Sequence, residues 1–201
     1  MKIIFVRHGK DDSSYRGGWS NLDLTPEGLE QANQLAEHLK VNNDTYHISR
    51  ILSSDLTRTM TTARCISASL GLDIQQESRI RETNNGDLAG MRNDTALKRY
   101  PGLFFSTLDM EEHYPNGESP KEFYQRIKTW FDEFCLQHRC TEGTTLVVTH
   151  GGVINVIYHL VNNLHWSNKN PPFHAATCSI HVLNLQTMEF EVKNKTDHLI
   201  P

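Results

Sequence analysis

The chain has 201 residues, a length that suggests one domain, or one domain with an elaboration, able to bury a core without disulfides or structural metals. Its net charge of −4 with neutral histidines excludes the bulk basic field that nucleic-acid binding needs, so any anion site has to come from a local cluster of positive groups. Hydrophobic residues make up 37% of the sequence, with no run of about 18 apolar residues, which excludes a membrane-spanning helix.

The opening Met1–Arg7 is too short an apolar stretch for a signal peptide and reads as a buried strand, roughly Lys2 to Val6. A polar loop with Gly17-Gly18 follows. Thr25-Pro26-Glu27-Gly28 then opens a helix, with Thr25 as N-cap and Pro26 at the first helical position. Leu29, Ala32, Leu35, Ala36 and Leu39 give that helix one apolar face. Arg50 to Ser53 reads as a strand, Asp55 to Ser69 as a helix ended by Gly71, and Leu72 to Gln76 as a further strand. Residues 83 to 119 are broken up by Gly86, Gly90, Pro101, Gly102, Pro115 and Gly117, and predict a mobile or inserted cap segment over the site. Pro120 to Gln137 is helical, with Phe123, Ile127, Trp130, Phe131 and Phe134 on one side. Thr144 to Thr149 is a β-branched strand, Val153 to Leu160 a helix, and Ser179 to Val192 two strands joined at Gln186-Thr187. Strands alternating with helices predict a single α/β domain over 1–201, a three-layer α/β/α sandwich with a mostly parallel central sheet and the small inserted cap at about 83–119. The cysteines, Cys65, Cys135, Cys140 and Cys178, form no Cys-x-x-Cys pair and read as reduced thiols of a cytoplasmic protein, the 135/140 spacing fitting a helix end and a turn.

Two strand ends share one pattern. Ile3-Ile4-Phe5-Val6 runs into Arg7-His8-Gly9, and Leu146-Val147-Val148-Thr149 into His150-Gly151-Gly152. Ligands of open α/β sheets gather at the carboxyl ends of strands, and glycine there lets an anion approach the backbone. A helix starting after His150 points free N–H groups at the same place. A third strand end leads to Ser54-Asp55-Leu56-Thr57-Arg58, and Arg81-Glu82 follows a fourth. If these ends meet, the site holds two arginines, two histidines and a carboxyl group. That set suits phosphoryl transfer: Arg7 and Arg58 clamp phosphate oxygens, one histidine attacks phosphorus, the other neutralises charge, and Glu82 protonates the leaving oxygen.

These residues resemble the histidine phosphatase superfamily, which also contains the cofactor-dependent phosphoglycerate mutases. The resemblance runs nearly end to end. It rests on Phe5-Val6-Arg7-His8-Gly9, Leu24-Thr25-Pro26-Glu27-Gly28 with Gln31-Ala32, Ser53 to Thr59 with Thr62-Ala63, Arg81-Glu82 with Gly86 and Gly90, Gly117-Glu118-Ser119, and Val147 to Ile154. It implies that His8 is the nucleophile that becomes phosphorylated. Arg7, Arg58 and His150 would form the phosphate pocket with Gly9 and Gly151, and Glu82 would be general acid and then base. A nucleophilic imidazole must have its tautomer fixed, for which a backbone carbonyl near Gly9 is the natural partner. The reading calls for no metal and no cofactor, and for a small phosphorylated metabolite as partner, with no nucleic acid or membrane; it leaves the oligomeric state open.

The sequence departs from that family's pattern in three places. Lys10 and Asp11 stand where many members have Glu-Thr, Ser14 where an asparagine touches phosphate, and Asn155 where many have an arginine. Ser14 is expected to donate a hydrogen bond to the phosphate in the asparagine's stead. Asp87 and Glu118 are alternative general acids in sequence. Of the other histidines, His38, His47, His113, His138, His159, His165, His181 and His198 read as surface or helix-face residues. His174, after Pro171-Pro172-Phe173, reads as structural in a loop bordering the site. Tyr15 and Trp19 are candidate aromatics at a substrate mouth. The leading function is a phosphomonoesterase. Mutase-type phosphoryl transfer is disfavoured because mutases of this type are usually longer, and a catalytically idle phosphate-binding module is the reading from another class.

Overall fold

The computed structural model describes residues 1–138, 142–169 and 172–200; Cys140 and Pro171 lie outside them. In chain order the elements are β1 (Lys2–Arg7), α1 (Pro26–Val41), the single-turn α2 (Asn43–Tyr46), β2 (Ile48–Ser53), α3 (Thr57–Leu70), β3 (Ile74–Gln76), α4 (Asn93–Arg99), α5 (Pro120–His138), β4 (Thr144–Thr149), α6 (Gly151–Val161), β5 (Ile180–Asn184) and β6 (Glu189–Lys195).

The strands form one sheet in the order β3-β2-β4-β1-β5-β6. β1, β2, β3 and β4 run parallel, while β5 lies antiparallel to β1 and β6 antiparallel to β5. The four parallel strands thus direct their carboxyl ends to one edge of the sheet. Alternation along β1 divides the core in two. Ile3 and Phe5 pack with Val147 against α5 and α6, through Phe123, Ile127, Trp130, Ile154 and Ile157. Ile4 and Val6 face the opposite way and pack with Leu146 and Val148 against α1 and α3, through Leu35, Leu39, Ala63 and Ile66. The result is the three-layer α/β/α sandwich expected from the alternating pattern.

Local signals place the helix ends. Thr25 caps α1 by accepting the Gly28 N–H at 3.1 Å, and Gly71 closes α3 in the left-handed conformation at φ 68°. α3 begins at Thr57, two residues later than expected: Leu56 is its extended N-cap, and Asp55, before the helix, accepts from Arg81. α6 begins at Gly151, directly after β4, so no loop separates His150 from a helix N-terminus. Between Ile80 and Pro120 the chain contains short 3-10 turns and α4, gathered on a small cluster of Leu88, Leu108 and Tyr114. Backbone hydrogen bonds between Arg16 and both Met91 and Gly90, each 2.8 Å, tie this segment to the loop after β1.

Candidate active site

His8 sits at the end of β1, nine-tenths or more buried, and its backbone N–H bonds to the Thr149 carbonyl at 3.0 Å, which locks the ends of β1 and β4 together. Its Nδ1 lies 2.7 Å from the Gly9 carbonyl. A carbonyl only accepts, so Nδ1 carries the proton and Nε2 keeps the lone pair. The Gly9 N–H in turn donates to Thr62 Oγ1 at 3.1 Å, and a Cβ at Gly9 would run into the Gly28 carbonyl of α1. Glycine here lets the turn after His8 lie against the helix N-terminus.

Arg58 joins the two histidines. From the first turn of α3 its Nε donates to His8 Nε2 and its Nη2 to His150 Nδ1, both at 3.2 Å, and Nη2 also bonds the Gly18 carbonyl at 2.8 Å. Because Nδ1 of His150 accepts, its Nε2–H donates to Ser54 Oγ at 2.9 Å. The imidazole rings meet edge to face with centroids 5.2 Å apart. Burial, then the Arg58 and Arg7 charges, hold the His8 pKa well below its ordinary value. Burial, then Arg58, His8, Arg7 and Arg126, do the same to His150. Both rings are therefore neutral at neutral pH, and the guanidinium supplies the positive charge between them. Asp11 Oδ2 approaches Arg58 Nε at 3.6 Å, so a carboxylate stands beside the guanidinium that joins the histidines. Arg7 anchors through Nη1 to the Ala175 carbonyl at 2.8 Å, while its buried Nε has no hydrogen-bond partner.

Glu82 reaches the same place from the chain beyond β3. Its carboxylate accepts the Gly152 N–H of α6 at 3.0 Å and the Thr83 N–H at 3.2 Å. A Cβ at Gly152 would collide with that carboxylate, so the close approach needs glycine. The Glu82 carbonyl is held by Trp19 Nε1 at 2.6 Å and Arg126 Nη2 at 3.2 Å. Trp19 is therefore a support of the Glu82 backbone, and Arg81 lies 4.7 Å over its ring. Of the rival carboxyls, Glu118 is in a two-point ion pair with Arg126 at 2.6 and 3.2 Å, and Asp87 accepts from Asn116 and Tyr100.

The structure thus brings together Arg7, His8, Gly9, Arg58, Glu82, His150 and Gly151. It does not bring Ser14 to them: the Ser14 side chain is exposed and its hydroxyl donates to Asp12 at 2.6 Å. Lys10 is likewise exposed and paired with Glu27. His181, read as a surface or helix-face residue, lies on β5, fully buried between Tyr158 OH at 2.8 Å and Ser179 Oγ at 2.9 Å. The sequence reading assigned no role to Ser54, Thr62 or Arg126. Ser54 and Thr62 carry a signal, since they fall in Ser53 to Thr59 and Thr62-Ala63, where the sequence resembles the family; Arg126, in the middle of α5, carries none. Among the described residues no group of three or more His, Cys, Asp or Glu side chains is placed to hold a metal ion, and no helix is long and apolar enough to cross a membrane.

The family model of the histidine phosphatase superfamily (branch 1) matches residues 3–198. Phosphoserine phosphatase 1 of Hydrogenobacter thermophilus is 31% identical over 164 residues, 79% of this chain and 74% of that protein. Phosphoglycerate mutase-like protein 4 of Arabidopsis thaliana is 32% identical over 78% of this chain and 69% of its own. Length does not separate phosphatases from mutases: a 2,3-bisphosphoglycerate-dependent phosphoglycerate mutase of Beijerinckia indica, 26% identical, matches over 81% of both chains. In fold, the chain is similar to the alpha-ribazole phosphatase of Shigella flexneri, with a TM-score of 0.81 at 20% identity, covering 98% of this chain and 97% of the other. The chain belongs to the histidine phosphatase superfamily, branch 1.

Proposed function

We propose that this protein is a phosphatase that hydrolyses a small phosphomonoester, without a metal ion, through a phosphohistidine on His8. The observation that carries the reading is the bridged pair of neutral imidazoles: Nδ1 of His8 is pinned by the Gly9 carbonyl, and Arg58 spans Nε2 of His8 and Nδ1 of His150. A phosphoryl dianion entering here takes over the guanidinium donors, which frees the Nε2 lone pair for in-line attack on phosphorus. The P–N bond forms as the ester P–O bond breaks, and Glu82 gives the departing alkoxide its proton. Glu82 then accepts a proton from water as that water attacks the phosphohistidine and releases inorganic phosphate. Arg7, Arg58 and a His150 that the bound anion favours in its protonated form stabilise the spread negative charge in both steps. Glu82 is preferred as the acid because Glu118 is neutralised by Arg126 and Asp87 is engaged elsewhere.

Relatives named as phosphoserine phosphatases support hydrolysis over mutase transfer. The free thiols of Cys65 and Cys178 support a reducing, cytoplasmic compartment. The test is release of inorganic phosphate from p-nitrophenyl phosphate and from an alkyl phosphomonoester, with a chelator present. Release from both is expected. Phosphoryl exchange between phosphoglycerates with no free phosphate would favour a mutase, and no turnover at all an idle binding module.

A further inference from the structure

A cavity of about 210 Å³ opens beside the site and shares Arg7, Gly151 and Gly152 with it. Gly152 is the residue whose N–H holds the Glu82 carboxylate, so the cavity lies where the alcohol half of a bound monoester would extend. At roughly 30 Å³ per water in the liquid, the space takes a group the size of about seven waters, comparable to one small ring. Phe105, Phe123, Trp166 and Phe173 provide aromatic walls.

The polar atoms are unusual. Asn155 and Asn168 both line the cavity, and each is more than nine-tenths buried. Backbone carbonyls fix the orientation of both amides. Asn155 Nδ2 donates to Phe173 O at 3.0 Å, and Asn168 Nδ2 to Phe105 O and Leu108 O at 2.5 and 2.9 Å. The Oδ1 atom of each has no partner, and neither does Arg7 Nε. Buried polar atoms in folded chains are nearly always satisfied, so two orphan acceptors, each on a residue that lines the cavity, call for donors from a ligand. The charge is equally telling. Among the described lining residues the only basic groups are Arg7, which belongs to the phosphate clamp, and His174. Lys169, nearby in sequence, is turned to the carbonyls of Thr107 and Leu108.

We propose that this cavity is the leaving-group subsite, and that it selects an uncharged, ring-sized alcohol bearing at least two hydrogen-bond donors while rejecting one with a carboxylate or a second phosphate. The proposal rests on the phosphatase reading above. Donors on the alcohol meet the Asn155 and Asn168 oxygens, and its apolar face lies on the aromatic walls. A carboxylate placed here would be buried against two carbonyl oxygens with no cation of its own, which is strongly unfavourable. His174, read from the sequence as structural, becomes a wall of this subsite.

The experiment compares kcat/KM within two matched pairs of primary phosphate esters: glucose 6-phosphate against 6-phosphogluconate, and glycerol 1-phosphate against 3-phosphoglycerate. The neutral member of each pair is expected to be favoured by about tenfold or more, with the ring sugar above glycerol phosphate. Asn155→Leu should reduce turnover of glucose 6-phosphate relative to p-nitrophenyl phosphate. Asn155→Arg should swing both pair ratios toward the carboxylate. Equal or reversed ratios in the wild-type enzyme overturn the proposal, whether or not the variants fold. If p-nitrophenyl phosphate is still hydrolysed in that case, the phosphatase reading survives; phosphate release from no substrate would remove both.

Discussion

His8→Gln should flatten the acid-side stability profile by one proton's worth. In the folded chain His8 is neutral, because burial and then the charges of Arg58 and Arg7 push its pKa well below 6.5. In the unfolded chain the same ring titrates near 6.5. Below that pH the unfolded state binds one more proton at this position than the folded state, so stability falls as pH falls. The contribution is fully present above pH 6.5 and is lost progressively down to the lowered folded value, with a limiting slope of about 1.4 kcal/mol per pH unit. Between pH 7 and pH 5 the wild-type chain should therefore lose up to about 2 kcal/mol more than the variant, whose glutamine is neutral throughout. His150, and His181 with its pKa pushed down to about 4 by burial, contribute slopes of the same sign but remain in both proteins. Carboxylates held low, such as Asp55 beside Arg81, act nearer pH 4 and below and stay outside the window. Urea unfolding at half-unit steps from pH 7 to pH 5, in buffers free of phosphate, measures the difference. Parallel profiles would mean that His8 is not held neutral, and the argument for a ready nucleophile would fail.

Glu82→Gln should slow the single-turnover phosphorylation of His8 by an alkyl phosphate by about 10²–10⁴-fold and by p-nitrophenyl phosphate far less, because nitrophenolate leaves without a proton, while hydrolysis of the phosphohistidine slows alike for both; equal slowing of the phosphorylation step would move the general acid to another residue. Ser54→Ala leaves the buried His150 Nε2–H without its 2.9 Å acceptor. It should cost about 1–3 kcal/mol in urea unfolding and lower kcat as the ring loses its fixed tautomer, so an unchanged kcat would separate His150 from catalysis. Gly152→Ala places a methyl group against the Glu82 carboxylate. Since the far end of a side chain can shift, kcat on alkyl phosphates should drop with little change in unfolding midpoint, and a large stability loss with normal kcat would contradict the placement of Glu82.

What the sequence made legible follows from how locally each feature is determined. The α1 boundary was readable because Thr25, Pro26 and Gly28 act within one turn. The site at the ends of β1 and β4 was readable because each strand carries its own histidine and glycine. The sequence favoured Glu82 through its match to a family position but left Glu118 open; the pairing of Glu118 with Arg126, which supports Glu82, joins the end of the 83–119 segment to the middle of α5 and leaves no local pattern. Ser14 was expected at the phosphate because it stands where the resembled family has an asparagine, but the loop that holds it takes its course from residues some 75 positions away, where Asn93 bonds the Ser14 carbonyl and Met91 binds Arg16. The cavity is the extreme case: its walls come from β1, the 83–119 segment, the first turns of α5 and α6 and the loop before β5, so no single stretch announces it. Asn155, as an exception to a family pattern, and the loop of Phe173 and His174, expected to border the site, were its sequence pointers.

The central claim is a covalent phosphoryl group on one ring nitrogen. Wild-type enzyme mixed with a ³²P-labelled aryl phosphate and quenched in alkali within the first turnover should carry acid-labile label that maps to the peptide containing His8, and His8→Ala should carry none and release no phosphate. Label on any other residue, or phosphate release by His8→Ala at a rate near the wild type, would contradict the account.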